Sequence, residues 1–165
     1  MLACVQRPRS RPRKTPKVPS QRVAPGRDDK ILTSWNALMI RGLAITARVL
    51  NSSAMADAAT GSLDFIRTQL TVNGRLLATS RNGQSRLNAY LDDHAYLLDA
   101  VLELLQTRFS TAHLDYAIWL ADCLLAHFED RDNGGFWFTS HDHEPLLHRP
   151  KPMADDAMPS GNGIA

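Results

Sequence analysis

Three Asp-Asp pairs, Asp28-Asp29, Asp92-Asp93 and Asp155-Asp156, recur after 64 and then 63 positions. The first two lead into long apolar stretches, "KILTSWNALMIRGLAITARVL" and "HAYLLDAVLELLQTRF", and the third into "AMPSGNGIA", where the sequence given stops. The stretches between them match as well: "NGRLLATS" at 73–80 and "NGGFWFTS" at 133–140 each place an Asn-Gly turn before a short strand-like run. A period in the sixties with two helices and a hairpin per unit is a repeat architecture, in which each unit buries its apolar face against the next.

The two helices of each unit differ. In 94–109 the polar residues Asp99, Glu103, Gln106 and Thr107 form one narrow stripe, and 36–50 interrupts its apolar surface mainly at Arg41 and Arg48, seven residues apart. Such helices are expected to be buried on most sides. Segment 57–70 opposes Leu63, Ile66 and Leu70 to Asp57, Asp64 and Arg67, which fits an outer helix with one face in water. Segment 113–128 has only a modest polar face. Alternating inner and outer helices joined by hairpin excursions predict an all-α fold, a partial α/α toroid of about two helical hairpins spanning residues 22–165. Two units leave a ring open, with apolar faces at both ends. The chain is therefore expected to be part of a larger protein, inactive alone and able to self-associate through its open ends.

Charge separates the N-terminus from this region. Residues 1–30 carry nine of the 19 Lys/Arg and two of the 17 Asp/Glu. The stretch "RPRSRPRKTPKVPSQR" alternates Pro with basic residues and has too little apolar surface to offset its ordering entropy, so residues 1–21 are expected to be disordered. It lacks interleaved aromatics and an attached nucleic-acid module, so no nucleic-acid partner is expected. It also lacks the apolar core of a signal peptide. No run of about eighteen apolar residues is present, so no membrane span is expected. Cys4 and Cys123 are far apart and in unlike contexts, which argues against a disulfide framework and favours a reducing, cytoplasmic location.

The Asp pairs are the leading candidates for chemistry. Asp29, Asp93 and Asp156 each stand near an expected inner-helix start, where carboxylates could serve as general acid and base. The same position suits a structural cap on free helix N–H groups. His94 titrates near neutrality and could move protons, or be a hydrogen-bonded first-turn residue. Trp35, Asn36 and Tyr96 could line a pocket, by aromatic stacking and amide hydrogen bonds, or could be core residues. "PSGNG" at 159–163 is Gly-rich but lacks the strand and lysine of a phosphate loop. Phe136, Trp137 and Phe138 are expected to pack a hairpin onto a helix end. "HDHE" at 141–144 reads as a turn with no fixed third ligand, so no metal and no cofactor is expected.

Four ordered stretches carry a family resemblance: "RDDKILTSWNALMIRGLA" at 27–44, "LDDHAYLLDAVLELL" at 91–105, "GGFWFTSHDHEPLLHRPK" at 134–151 and "DDAMPSGNGIA" at 155–165. Through them the chain resembles the spermatogenesis-associated-protein-20-like family, in which a thioredoxin-like domain precedes a six-hairpin (α/α) toroid. The resemblance covers most of residues 22–165. It implies a toroid similar to those of six-hairpin glycosidases and N-acylglucosamine 2-epimerase-like enzymes, and hence a carbohydrate ligand for the full-length parent, with Trp35, Asn36 and Tyr96 as a sugar floor and Ser160 and Asn162 reaching the cavity from the next helix start. No C-x-x-C motif occurs here, so a redox role is not implied for this chain. The alternative is a non-catalytic toroid that binds or scaffolds a protein client.

Overall fold

The computed structural model describes Gly26, residues 28–144 and residues 146–165. The Arg/Pro tail and Cys4 lie outside the described residues. The element order is β1 (Ile31–Leu32), α1 (Thr33–Leu50), α2 (Ser53–Phe65), a π-helical turn (Ile66–Leu70), β2 (Thr71–Val72), β3 (Arg75–Arg81), β4 (Gln84–Asn88), α3 (Leu91–Thr107), α4 (Thr111–His127) and α5 (Gly161–Ile164).

α1 and α3 lie side by side and run the same way. Contacts climb both helices in step: Ser34 N donates to Asp93 Oδ1 at 2.9 Å, and Arg41 pairs with Asp99. Farther along, Thr107 Oγ1 donates to Ala44 O at 2.9 Å and Arg48 pairs with Glu103, also at 2.9 Å. α2 runs back against them, because its N-terminal half meets the end of α3 through Arg108–Asp57 at 2.7 Å. α4 likewise returns, its end bringing Phe128 within 4.9 Å, centroid to centroid, of the His94 ring at the start of α3. Two parallel inner helices, each followed by an antiparallel outer one, are the α/α arrangement expected from the repeat.

The core follows from small and branched apolar residues at helical spacing. α1 lends Ala37, Ile40, Ala44 and Ala47, α2 lends Ala59 and Leu63, and α3 lends Leu97, Ala100, Val101 and Leu104. Alanines on the α1 seam let the two inner helices approach closely, and each fully buried Leu adds about 1.5–3 kcal/mol over an exposed one. A second cluster, Leu91, Leu124 and Phe128, is covered by Phe136 and Phe138.

Three expectations are corrected. The fold is not purely all-α: β3 pairs antiparallel with β1, β2 and β4 in a four-stranded sheet. Two Asn-Gly turns drive it, Asn73-Gly74 and Asn82-Gly83, all four residues having positive φ, the left-handed geometry that matches strand twist. The counterpart at 133–140 forms a single bridge, Glu129 to Phe136. The Asp pairs do not hold equivalent places: Asp28-Asp29 precedes β1 and α1, while Asp92-Asp93 lies inside the first turn of α3. α1, α3 and α5 begin at residues 33, 91 and 161, so their starts are 58 and 70 residues apart against the even spacing of the pairs. Finally, α1 is buried along one stripe only. Its opposite flank presents Trp35 (62% exposed), Met39 (46%), Gly42 and Val49 (74%), a second helical seam with no charged residue on it.

Among the described residues no helix is long and apolar enough to cross a membrane, and Cys123 is a buried free thiol.

Candidate functional site

The first turn of α3 is where the predicted residues converge or part. Asp92, Asp93 and His94 leave this turn in different directions because successive helical residues are 100° apart, and Tyr96, four residues after Asp92, returns to its face. Asp93 points at α1. Its Oδ1 accepts the Ser34 amide and its Oδ2 accepts the Tyr90 amide, both at 2.9 Å. α1 has no cap from its own N-cap residue, Leu32, so a carboxylate from the neighbouring helix does that work. Burial pushes the Asp93 carboxyl up to about 6, against the lowering pull of those two amides.

His94 points the other way, toward α4. Its ring tilts against Phe128, its Nδ1 lies 3.1 Å from Tyr90 O, and burial holds its pKa down to about 4. It is a neutral imidazole at neutral pH, packed between helices.

Asp92 and Tyr96, four residues apart on one face, turn toward the segment that follows the second hairpin. They line a cavity of about 320 Å³ with Phe138, Pro152, Asp156, Met158 and Ser160 among its walls. The Tyr96 hydroxyl donates to Pro159 O, and its pKa is pushed up to about 12, first by burial and then by the carboxylates of Asp92, Asp155 and Asp93. Burial also raises the Asp92 carboxyl, offset by the Gly161 amide. Gly161 is required at this approach: a Cβ there would lie 2.4 Å from Asp92 Oδ1 and 2.8 Å from Leu91 Cγ.

The cavity wall is clamped from behind. Asn162 Oδ1 accepts the Phe136 amide at 2.7 Å, while its Nδ2 donates to Phe136 O and Pro152 O, each at 2.9 Å. Ser160 caps the short α5 through Gly163 N at 3.1 Å, and its own amide donates to Asp155 Oδ1 at 2.9 Å. Asp130 secures the Asn133-Gly134 turn, and the Lys151 ammonium 2.6 Å away holds its carboxyl down at about 2.

Of the residues singled out in the sequence, Tyr96, Asp156 and Ser160 are brought together at the cavity. Asp93 and His94 are not among its walls. Asp29 pairs with Arg81 at 2.6 Å on the sheet side, Trp35 stands on the outward flank of α1, and Asn36 Nδ2 donates back to Leu32 O at 2.8 Å. Asn162 spends its amide on the backbone clasp. His141 and His143 lie in the turn at 141–143, and among the described residues no group of three or more His, Cys, Asp or Glu is placed to hold a metal. The residue missed was Asp92; the signal for it was its place four residues before Tyr96, which puts both on one helix face.

No family model matches the chain. Spermatogenesis-associated protein 20 of Homo sapiens is 28% identical over 155 residues, 87% of this chain and 20% of that protein. The chain is homologous to spermatogenesis-associated protein 20. The Rattus norvegicus protein is likewise 28% identical, over 149 residues, 84% of this chain and 19% of that protein. The chain thus spans about a fifth of the length of these relatives.

Among solved structures, a sugar epimerase from a ruminal bacterium has a TM-score of 0.65 at 15% identity, over 82% of this chain and 36% of that one. The cellobiose 2-epimerase of Bacillus thermoamylovorans has a TM-score of 0.63 at 15% identity, over 68% of this chain and 33% of that one. Identity this low speaks to fold: the helices follow the α/α toroid of these epimerases, with the four-stranded sheet carried beside them.

Proposed function

We propose that this chain supplies part of the sugar site of a carbohydrate-processing α/α toroid. One observation carries the reading: at the start of inner helix α3, two carboxylates, Asp92 and Asp156, and two hydroxyl-bearing residues, Tyr96 and Ser160, share one cavity with apolar walls. Pockets that bind sugars combine apolar faces with a few polar groups that fix orientation. The fold neighbours described as a cellobiose 2-epimerase and a sugar epimerase support the substrate class by analogy of fold. In the full-length protein, Asp92 and Asp156 are the pair of acids that exchange protons with the sugar.

Titration of the isotope-labelled chain with cellobiose tests it. Saturable shifts at Tyr96 and Ser160, weakened in Asp156→Asn while the unfolding midpoint holds, support the reading. A chain and a full-length homologue that both ignore a broad glycan panel sink it.

A second reading, a platform for a protein client, is favoured by the uncharged outward flank of α1 with Trp35, Met39 and Val49. Self-association would use the same flank. Trp35→Ser would then abolish client binding or concentration-dependent sedimentation and leave sugar binding intact; a variant that behaves like the parent in both assays removes this reading.

A further inference from the structure

The charge of the cavity over α3 selects among sugars. Among the described residues its walls hold two acids, Asp92 and Asp156, and no arginine, lysine or histidine. A third carboxylate, Asp155, stands beside it on Ser160 N. Burial first, and then the carboxylates of Asp92, Asp155 and Asp93, keep the Tyr96 phenol protonated.

Two cations flank the walls in sequence, and both are engaged elsewhere. Lys151 Nζ sits 2.6 Å from Asp130 Oδ2 and 5.1 Å from the Trp137 ring centroid. Arg149 donates to Thr139 O at 2.5 Å and lies over the same indole at 5.0 Å. Trp137 is therefore the post that holds both cations, while Phe138, the next residue, lines the cavity. This segment thus holds the two cations at Trp137 and gives Phe138 to the cavity.

An anionic sugar entering the cavity would shed water without meeting a counter-charge, which costs binding free energy. A neutral sugar meets acceptors for its hydroxyls. An ammonium group gains more, because a charge-assisted hydrogen bond to a carboxylate is about twice as strong as a neutral one. The space, about 320 Å³, sits at the small end of the ligand-pocket range and suits a compact sugar. We propose that the cavity takes amino sugars first, neutral sugars next, and rejects uronates and sugar phosphates. This inference rests on the carbohydrate reading above and adds the substrate's charge class to it.

Calorimetric titration of the chain near neutral pH with glucosamine, glucose, glucuronate and glucose 6-phosphate tests the ranking, with ethanolamine as an ammonium that carries no ring. Glucosamine is expected to bind about tenfold more tightly than glucose, with no saturable heat from the two anions or from ethanolamine. Asp156→Asn, an exposed position, should weaken glucosamine more than glucose and so bring the two to a similar affinity; a circular-dichroism midpoint equal to the parent's shows that the fold is intact.

Glucuronate binding as tightly as glucosamine would overturn the charge selection and leave the carbohydrate reading standing. Ethanolamine matching glucosamine would reduce the site to a surface ion pair and overturn it too. If none of the sugars binds, the carbohydrate reading falls and takes this inference with it.

Discussion

Asp93 and Ser34 join the two inner helices at their N-terminal ends, carboxylate Oδ1 to backbone amide at 2.9 Å across 59 residues of sequence. The other oxygen of the same side chain caps the entry to its own helix at Tyr90 N. One buried acid thus satisfies donors of two parallel helices, which is why it tolerates burial at 5% exposure. Asp93→Ala leaves both amides without their partner, and the expected loss is about 2–4 kcal/mol. Asp93→Asn keeps an acceptor for Ser34 and should lose about half as much. Urea unfolding of both variants checks the order; a loss below about 1 kcal/mol in Asp93→Ala would mean that water caps α1 equally well.

The adjacent residues Asp93 and His94 respond to pH with opposite sign. Asp93 has a folded pKa near 6, above its ordinary 3.8. The folded state therefore holds its proton over that window, and its contribution is full below about pH 4 and is lost as pH rises to 6. His94 has a folded pKa near 4, below its ordinary 6.5. Its contribution is present above about 6.5 and is lost as pH falls toward 4. In the parent the two slopes oppose each other between pH 4 and 6, so its stability should vary little there on their account. In Asp93→Asn, stability should fall on acidification as His94 alone titrates; in His94→Gln it should rise. Thermal midpoints across this range read the result, and parallel curves for the two variants would refute the assignment.

Gly161 lets α5 reach the start of α3. Alanine there would place its Cβ 2.4 Å from Asp92 Oδ1 and 2.8 Å from Leu91 Cγ. The carboxylate can swing aside, but Leu91 is fully buried and cannot. Gly161→Ala should cost about 1–3 kcal/mol and move Asp92 out of register with the cavity, weakening sugar binding as well. An unchanged urea midpoint together with unchanged binding would show that α5 is free to shift away.

The helices were legible because their apolar spacing is strong. α1, α3 and α4 match the segments read from pattern to within a few residues, and the inner-outer alternation follows from the narrow polar stripe of 94–109 against the broad one of 57–70. The sheet was underweighted because β1 and β2 are two residues each and gain their place only by pairing with β3, a contact that no local pattern announces. The Asp repeat misled for a related reason. Its even spacing suggested one role at three helix starts, yet Asp29 pairs with Arg81, Asp93 caps a neighbouring helix, and Asp156 lines the cavity. Which carboxylate faces a cavity is decided by helix rotation, and Asp92 and Asp93 differ in that by 100°.

Asn162 shows how much of the cavity depends on a residue that does not line it. Its amide accepts from Phe136 N and donates to Phe136 O and Pro152 O, tying the second hairpin to the chain that returns over it. Asn162→Ala removes all three bonds and should cost about 2–3 kcal/mol, with faster hydrogen exchange at the Phe136 amide. Asn162→Asp keeps the acceptor but turns the two donated bonds into repulsion between a carboxylate and carbonyl oxygens, so it should destabilise at least as much as alanine. Since Phe138 and Pro152 belong to the cavity wall, both variants should also weaken ligand binding, in the same order as their loss of stability. Asn162→Asp behaving like the parent in exchange and in unfolding would show that the acceptor bond to Phe136 N alone holds the wall in place.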